Sequence, residues 1–410
     1  MALVRSFKAI RPVEDMAEKV AALPYDVMSS AEAREMVKGN PYSFLHVDRA
    51  EIDLDEAIDP YSEEVYLKAK NNLYGMVENG VLKEDEKPCF YIYSLTMDGR
   101  CQRGIVCTTS IDEYLNGTIK KHEFTRADKE QDRINHVDYC NANTGPIFLM
   151  CRNNEKVGAI IDEETKKDPV YDFVSEDGIR HTVYVVEDKE KTDAITEAFK
   201  EVESLYIADG HHRNASAVKV GLKRREANLG FTGEEEFNFY LSVVFLADEL
   251  MILDYNRVVK DLNGYDEAGF IAKVGEKFVI TDGKAEKPDK THTFGMYIAG
   301  KWYHLQAKEE IIPDDAVESL DVSILQKNVL DDVLGIKDPK TDKRIDFVGG
   351  IRGIKELEKL VDSGKHKVAF AMYPTSVNEL MAIADEGKIM PPKSTWFEPK
   401  LRSGLFIHTL

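Results

Sequence analysis

The segment Tyr206–Ala217, Y-I-A-D-G-H-H-R-N-A-S-A, decides how the centre of the chain folds. Its apolar start predicts a short strand over Leu205–Ala208, and a helix is expected from about His211 to Asn228. Gly210 permits the tight turn and the close backbone approach that such a junction needs. The segment therefore predicts a strand–turn–helix unit in which the N-terminus of the helix is exposed at the turn.

The first turn of that helix concentrates hydrogen-bond donors. A helix N-terminus attracts anions, because its first N–H groups lack partners and the helix dipole favours negative charge there. His211 and His212 add side-chain donors, and Arg213 can bind phosphate oxygens through two parallel bonds. Asp209 would repel a phosphate unless a cation lay between them, and Mg²⁺ binds one or two carboxylates together with substrate phosphates. The pattern predicts an anion site at Gly210–Arg213 with Asp209 as the metal ligand; a capped helix beside surface histidines is the alternative.

Upstream, a second cluster lies in Ile119–Arg133, I-K-K-H-E-F-T-R-A-D-K-E-Q-D-R. Glu123 stands beside His122 among lysine and arginine residues, and a carboxylate surrounded by cations stays ionised and can act as a general base or a metal ligand. The zinc-protease motif H-E-x-x-H would need a histidine where Arg126 stands, which argues against zinc hydrolysis. The alternating charges that follow leave open an ordinary exposed helix with ion pairs along its surface.

A third cluster lies near the C-terminus, in I-M-P-P-K-S-T-W-F-E-P-K, which begins at Ile389. Two prolines impose an extended entry. Lys393, Ser394 and Thr395 then supply an ammonium group and two hydroxyls in a row, as a loop that binds phosphate or carboxylate would. A structural loop without a ligand is the alternative. The apolar run at Leu405–Ile407 indicates that the tail is packed against the protein.

Composition excludes several classes of protein. The chain has 410 residues and a net charge of −20, so it has no general attraction for nucleic-acid phosphates. Its longest apolar run is far shorter than the roughly 20 residues of a membrane helix, and we expect no membrane partner and no secretory signal. Five cysteines without a C-x-x-C pair predict reduced thiols and a cytoplasmic location.

Strands alternate with helices, and some strands are adjacent, which predicts an α+β (mixed α/β) fold. We expect one hairpin around Asp98-Gly99 and another over Phe237–Leu253 through Asp248-Glu249. We expect a polar helix or an ordered loop over Arg126–Asn141. The predicted domain boundary follows residue 263. Residues 1–263 would contain the N-terminal segment and the phosphate-binding domain, and residues 264–410 an α/β domain whose tail, 390–408, returns to the site.

The three clusters together resemble a known group of proteins. D-G-H-H-R at Asp209–Arg213 resembles the phosphate-binding motif of the ParB/sulfiredoxin-like superfamily, and within it that of the nucleotide-dependent free-serine kinases. Those enzymes carry an upstream H-E pair, matched by His122-Glu123, and a P-K-[ST]-T loop, matched by Pro392–Thr395, in the same order. They have an Arg-His pair where this chain has Trp396-Phe397.

The whole chain also resembles the bacterial and archaeal domain-of-unknown-function family "DUF ten-fifteen". The marks of that family include an early P-Y-D-V, here Pro24–Val27, then D-G-H-H-R, and a K-S-T-x-F-x-P-K tail, here Lys393–Lys400. The resemblance implies a ParB/sulfiredoxin-like nucleotide-binding core with an additional C-terminal α/β domain.

The likeness to the serine kinases implies roles at the matched positions. Glu123 would be the catalytic base, with His122 beside it. Gly210, His211, His212 and Arg213 would hold the nucleotide phosphates, and Asp209 would bind the metal. The matched loop, Lys393–Thr395, would bind substrate or phosphate.

These roles predict a small-molecule kinase that transfers a phosphoryl group from ATP or ADP, with Mg²⁺, to the hydroxyl of free L-serine. The alternatives are a non-catalytic regulator that responds to nucleotides or amino acids, and a phosphoester hydrolase. A ParB-like DNA switch is disfavoured by the net charge. A homodimer is left open as the assembly.

Overall fold

The structure is a computed structural model that describes residues 1–410, and the chain forms two compact units. The first consists of Met1–Leu250 and Pro399–Leu410, and the second of Met251–Glu398. Both units combine sheets with helices, so the predicted mixed α/β class is confirmed. Residue 263, after which the sequence predicts a domain boundary, lies within the second unit.

The strands, numbered in chain order, are β1 (Val4–Arg5), β2 (Ile10–Pro12), β3 (Leu82–Glu84), β4 (Phe90–Met97), β5 (Arg100–Ser110), β6 (Ile119–Lys120), β7 (Ala142–Asn143), β8 (Ile147–Cys151), β9 (Tyr171–Val174), β10 (Arg180–Val186), β11 (Leu205–Asp209), β12 (Phe239–Leu246), β13 (Ile252–Leu253), β14 (Tyr255–Val259), β15 (Phe278–Asp282), β16 (Thr293–Ile298), β17 (Lys301–Ala307), β18 (Ile345–Gly349), β19 (Val368–Met372), β20 (Trp396–Phe397) and β21 (His408–Thr409). The α-helices are α1 (Ala17–Val20), α2 (Ser30–Met36), α3 (Leu45–Asp48), α4 (Glu63–Glu78), α5 (Ile111–Leu115), α6 (Ala127–Cys140), α7 (Glu155–Glu164), α8 (Lys189–Phe199), α9 (His211–Ala227), α10 (Glu267–Gly275), α11 (Asp321–Leu325), α12 (Ile354–Asp362) and α13 (Val377–Asp385). None of these helices is both long enough and apolar enough to cross a membrane.

A nine-stranded mixed sheet organises the first unit. Eight strands follow the order β6-β11-β8-β12-β5-β4-β10-β9, and β1 pairs with β5. All eight residues of β12 are buried, as expected of a central strand that is covered on both faces. The predicted hairpin at Asp98-Gly99 is confirmed, because β4 and β5 pair in antiparallel fashion up to Met97 and Arg100.

The second predicted hairpin, over Phe237–Leu253, is wrong. β12 pairs with β5 and β8, whereas β13 pairs with β20 in the second unit. A 3₁₀ turn at Ala247–Glu249 ends β12, and Arg100 donates to the carbonyl oxygens of Asp248 and Leu250. These contacts stabilise a chain that leaves the sheet after β12, at the position where the sequence predicts a tight hairpin turn.

Two apolar clusters stabilise the first unit. One lies at the sheet and includes residues of α7, α8 and α9. The other is formed by the N-terminal helices, with Phe44 and Leu73 fully buried, and it also includes Ile407 of the tail. The polar segment expected as a helix or a loop is the helix α6, and Asn141 ends it in the left-handed conformation at φ 50°.

The second unit is built on a six-stranded antiparallel sheet in the order β15-β17-β16-β19-β14-β18. Helix α12 covers an apolar cluster on this sheet through Leu357, which packs with Val258 and Trp302. A separate pair, β13 with β20, contains Trp396 and Phe397.

The last twelve residues belong to the first unit. Ser403 exchanges backbone hydrogen bonds with Ala22, Ile407 does the same with Ile10, and β21 pairs with β7. These backbone contacts tie the tail to the N-terminal segment.

Arg402 is the polar anchor of the tail. Its guanidinium group donates to His181 Nε2 at 3.3 Å and to Ser175 Oγ at 3.1 Å, and it forms an ion pair with Asp177. Burial and the positive charge of Arg402 lower the pKa of His181 to about 3. His181 is therefore neutral, and its Nε2 can accept the hydrogen bond.

Replacing Arg402 with methionine is expected to lower the free energy of unfolding by about 2–3 kcal/mol, because hydrogen bonds of a charged group are lost inside the protein. Urea unfolding followed by circular dichroism measures the change. The control is Arg180→Met, which removes a largely exposed ion pair with Asp172 and should cost less than about 1 kcal/mol. Equal losses in the two variants would show that Arg402 does not anchor the tail.

Candidate functional site

The predicted strand–turn–helix is confirmed. β11 pairs in parallel with β6 and in antiparallel fashion with β8, and it ends at Asp209, one residue before Gly210. Gly210 has a φ of 91°, in the left-handed region that favours glycine, and α9 begins at His211. A Cβ atom on Gly210 would lie 3.1 Å from Arg213 Nε. The glycine thus lets the Arg213 side chain fold back over the turn.

Asp209 is held by backbone and side-chain donors. Its Oδ1 accepts the N–H of Gly210 at 2.9 Å. Its Oδ2 lies 3.2 Å from Lys400 Nζ and 3.9 Å from an Arg213 nitrogen. Burial raises the pKa of Asp209, but the positive charges of Lys400 and Arg213 outweigh it and hold the pKa well below its usual value. Asp209 is therefore a carboxylate whose charge is already compensated.

Arg213 is buried but only partly satisfied. It donates to the carbonyl oxygen of Pro146 at 2.7 Å, whereas its Nε has no hydrogen-bond partner. Burial lowers its pKa, but the charges of Asp26 and Asp209 more than offset this effect and keep the pKa raised. A charged guanidinium with a buried, unpaired N–H is costly unless a ligand supplies an acceptor.

Two neutral imidazoles lie beside this turn. The rings of His122 and His211 meet edge to face, with centroids 4.6 Å apart. Burial lowers the pKa of His122 to about 4. Burial, with the neighbouring His122, lowers the pKa of His211 well below its ordinary value. His122 Nδ1 and His211 Nε2 are both buried without a hydrogen-bond partner.

Glu123 lies next to these imidazoles and is half exposed, with Oε2 3.8 Å from His211 Nδ1. Farther along, the segment is held against α9, because the backbone N–H of Arg126 donates to His212 Nε2 at 3.0 Å. Burial lowers the pKa of His212, which suits its role as an acceptor. The structure therefore brings the predicted residues His122 and Glu123 together with Asp209–Arg213.

The residues of the third predicted cluster lie in the second unit. Ser394 Oγ donates to the carbonyl oxygen of Pro391 at 2.6 Å, and Thr375 donates to the carbonyl oxygen of Ser394. Lys393 lies with Nζ 5.6 Å from the centre of the Tyr255 ring. The binding role that the resemblance implies for Lys393, Ser394 and Thr395 stays a prediction.

Two charged residues near the turn have no role in the sequence analysis. Lys400 pairs with Asp209, and Asp26 lies close enough to Arg213 to raise its pKa. Both stand inside motifs that mark the family, Lys400 in the K-S-T-x-F-x-P-K tail and Asp26 in P-Y-D-V. Their presence in those motifs is the sequence feature that could have marked Lys400 and Asp26 as site residues. No local spacing connects them to Asp209 or Arg213.

The residues present do not fit a Mg²⁺ ion held by the protein at Asp209. The Oδ2 atom of that carboxylate accepts from Lys400, and no group of three or more His, Cys, Asp or Glu side chains could hold a metal ion. The sequence predicts a Mg²⁺ ion that Asp209 shares with substrate phosphates; neither observation tests that role, which stays a prediction.

Replacing Gly210 with alanine is expected to displace Arg213, since the new Cβ would lie 3.1 Å from Nε and 3.2 Å from Cζ. The left-handed backbone should also cost about 1–2 kcal/mol of stability. The control is Gly99→Ala, where φ is 81° but no atom lies within 4 Å of the added Cβ. Both variants should have a lower melting temperature than wild type. Only Gly210→Ala should bind ADP more weakly in calorimetry. Equal affinities of the two variants for ADP would exclude Arg213 from the anion site.

Acid is expected to destabilise the first unit between pH 6.5 and pH 4. The pKa of His122 is about 4 in the folded protein, whereas a histidine in an unfolded chain titrates near about 6.5. In that interval the unfolded chain binds a proton that the folded chain excludes. The free energy of unfolding should therefore fall as the pH drops, by up to about 1.4 kcal/mol per pH unit for each such histidine.

Urea unfolding of wild type and His122→Gln across that pH interval measures the effect. The free energy of unfolding should fall less steeply with decreasing pH in His122→Gln than in wild type. Equal slopes in wild type and His122→Gln would contradict the assignment.

Several solved structures are similar to this chain. A free serine kinase in complex with AMP is 15% identical, and the match covers 73% of this chain and 91% of that chain with a TM-score of 0.37. A conserved hypothetical protein from Pyrococcus furiosus is 15% identical over 73% of this chain and 94% of that chain, with a TM-score of 0.35. SbnI with a C-terminal truncation, from Staphylococcus aureus, is 10% identical over 72% and 82%, with a TM-score of 0.35.

No curated protein matches the sequence. A family profile described as "Protein of unknown function (DUF1015)" matches residues 4–323. This match covers well over half of the 410 residues, and it confirms the family resemblance; P-Y-D-V and D-G-H-H-R lie within the matched residues, and the K-S-T-x-F-x-P-K tail lies beyond them. The chain belongs to the DUF1015 family.

Proposed function

We propose that this protein is a small-molecule kinase that transfers a phosphoryl group from ATP or ADP to the hydroxyl of free L-serine. The ordered H-E, D-G-H-H-R and P-K-[ST]-T motifs, which resemble those of the free-serine kinases, suggest the reaction. The geometry of the first unit supports it. The catalytic and phosphate-binding roles argued below are given to residues of that unit.

One observation carries the proposal. Three buried nitrogen atoms without hydrogen-bond partners, His122 Nδ1, His211 Nε2 and Arg213 Nε, cluster at the N-terminus of α9. Buried polar atoms are rarely left unpaired in folded proteins unless the site has another purpose. The positive end of the helix dipole and the guanidinium both favour an anion there. A nucleotide phosphate would supply both the charge and the acceptor oxygens.

Glu123 is the proposed general base. A carboxylate is ionised at neutral pH, and Glu123 is exposed enough to meet a substrate at the edge of the cluster. Its oxygen would accept the proton of the serine hydroxyl. The hydroxyl oxygen then bonds to the terminal phosphorus, and the bond from that phosphorus to the bridging oxygen of the nucleotide breaks. The products are O-phosphoserine and the nucleotide shortened by one phosphate.

The surrounding residues position these groups. His211 contacts His122 on one side and lies near Glu123 on the other, and both imidazoles are neutral at pH 7 because burial lowers each pKa. They therefore add no positive charge beside Glu123. Lys400 compensates the charge of Asp209, so that Asp209 repels an incoming phosphate less strongly than an unpaired carboxylate would.

The test is a phosphorus NMR assay with Mg²⁺, ATP or ADP, and L-serine. Wild type should form a new phosphomonoester. Glu123→Gln should lower the turnover rate by at least about 100-fold, as the loss of a general base does, and change the dissociation constant for ADP by less than about threefold. The control is Glu187→Gln, which alters an exposed glutamate paired with Lys87 and should leave the rate unchanged.

Equal turnover of wild type and Glu123→Gln would exclude Glu123 as the base. Absence of a phosphomonoester with every hydroxyl amino acid, despite ADP binding, would overturn the kinase proposal in favour of a regulator. Release of inorganic phosphate without an acceptor product would favour a hydrolase.

A further inference from the structure

One cavity in the first unit lies outside the residues of the proposed phosphate site. Its volume is about 340 Å³, and it is lined by the N-terminal segment from Tyr25 to Tyr66 and by one face of α6, from Lys129 to His136. Pockets that hold small molecules begin at about 300 Å³. The cavity thus has the size for a compact metabolite rather than for a whole nucleotide.

Asp48 is the unusual residue in this cavity. Its side chain is buried, with 5% of the residue exposed. It accepts one hydrogen bond, from Thr144 Oγ1 to Oδ1 at 2.8 Å, and no lysine, arginine or histidine nitrogen lies within 4.0 Å of it. The charges of Arg133 and Arg213 act on Asp48 from farther away, but burying a carboxylate without a direct ion pair is costly. A ligand that carries an ammonium group would remove this cost.

Cationic side chains line the same cavity. Arg133 is buried, stacks 3.9 Å above the centre of the Tyr25 ring, and its Nε donates to Asp132 Oδ2 at 2.9 Å. Arg49 Nε forms an ion pair with Glu51 Oε1 at 3.1 Å, although this buried nitrogen makes no hydrogen bond. Lys129 donates to the hydroxyl of Tyr61 at the rim. These groups can bind a carboxylate, so the cavity offers sites for both ends of a zwitterion.

The cavity adjoins the proposed phosphate site. A Cβ atom placed on Gly145 would lie 3.8 Å from an Arg213 nitrogen and 4.0 Å from Asp48 Oδ2, so Asp48 and Arg213 flank the same glycine. On the other side Tyr25 lines the cavity, and the charge of the next residue, Asp26, acts on Arg213. A ligand at Asp48 would therefore lie next to the anion at Arg213.

Two other cavities of the first unit lack this pattern. In one of about 380 Å³, Arg11 pairs with Asp85. In one of about 640 Å³, Arg103 pairs with Glu249 and Arg180 pairs with Asp172, a residue of the neighbouring strand. Arg49 and Arg133 of the cavity at Asp48 pair with Glu51 and Asp132 in the same way. The cavity at Asp48 differs in its buried carboxylate, which has no lysine, arginine or histidine nitrogen within 4.0 Å.

We propose that the cavity at Asp48 binds a free α-amino acid, with the ammonium group on Asp48 and the carboxylate on Arg49 and Arg133 of the same cavity. The role of this amino acid as phosphoryl acceptor rests on the proposed function, but its binding does not. A zwitterion satisfies both charges of the cavity, whereas an amine or a carboxylic acid alone satisfies one.

Calorimetric titrations with four probes test the charge requirement. L-serine and glycine carry both charged groups and should bind. L-serinamide lacks the carboxylate and D-glycerate lacks the ammonium group, and both should bind at least about tenfold more weakly, because each loses a charge-assisted hydrogen bond. The titrations are made with and without ADP, so that they also measure any effect of bound nucleotide on the affinity for the amino acid.

Asp48→Asn tests the anchor. Asparagine keeps an oxygen for Thr144 to donate to, and it removes a buried charge, so the variant should fold and melt no earlier than wild type. L-serine should bind it at least about tenfold more weakly, with ADP binding within about twofold of wild type. The control is Glu113→Gln, which replaces another buried carboxyl group outside the cavity, the acceptor of the Leu3 N–H. Burial raises the pKa of Glu113 to about 7, so the titrations are made well above that pH.

The outcomes separate this proposal from the kinase. If neither L-serine nor glycine binds, or if Asp48→Asn binds L-serine as wild type does, the amino-acid site is wrong even where serine is phosphorylated. If L-serine binds through Asp48 without forming a phosphomonoester, the site stands and the kinase proposal fails. Equal weakening in Glu113→Gln and Asp48→Asn would also overturn the assignment to Asp48.

Discussion

The candidate site depends on the left-handed turn at Gly210. Because a glycine takes φ 91° there, β11 can end at Asp209 while α9 begins at His211, and the Arg213 side chain can lie 3.1–3.2 Å from where a Cβ would be. This places a carboxylate, a guanidinium and a helix N-terminus around one residue. The pairing of β11 with β6 then brings in the segment that carries His122 and Glu123, which follows β6 closely in the chain.

The tail connects this turn to the stability of the first unit. Residues 399–410 are anchored by Arg402, by backbone bonds at Ser403 and Ile407, and by β21. The same segment carries Lys400, the ion-pair partner of Asp209. The contacts that anchor the tail therefore also hold Lys400 beside Asp209, where Lys400 compensates the charge of that carboxylate. A disturbance that frees the tail would leave Asp209 with Arg213, at 3.9 Å, as its nearest cation.

Some of the buried polar atoms without a hydrogen-bond partner lie in two adjacent places within the first unit. At the N-terminus of α9 they are nitrogen atoms of imidazoles and a guanidinium, and at the neighbouring cavity Arg49 Nε lies near the Asp48 carboxylate, which accepts a single hydrogen bond. Each costs free energy in the folded protein without a ligand. Natural proteins keep such unfavourable free energy mainly at sites where a bound ligand offsets it. The same physical argument therefore supports both proposed binding sites, one for an anion and one for a zwitterion.

The sequence by itself determined the local units. An apolar run, a glycine and a row of donors predict β11, its turn and α9, because all the residues involved are neighbours; the same is true of the hairpin at Asp98-Gly99. Only the tertiary structure decided that β12 pairs with β5 and β8 instead of with Ile252–Leu253, that Lys400 meets Asp209, and that Asp48 lies one glycine away from Arg213. These contacts join residues far apart in the chain. Local spacing and hydrophobic periodicity describe one segment at a time, so they carry no information about which distant segments the packing of the core brings together.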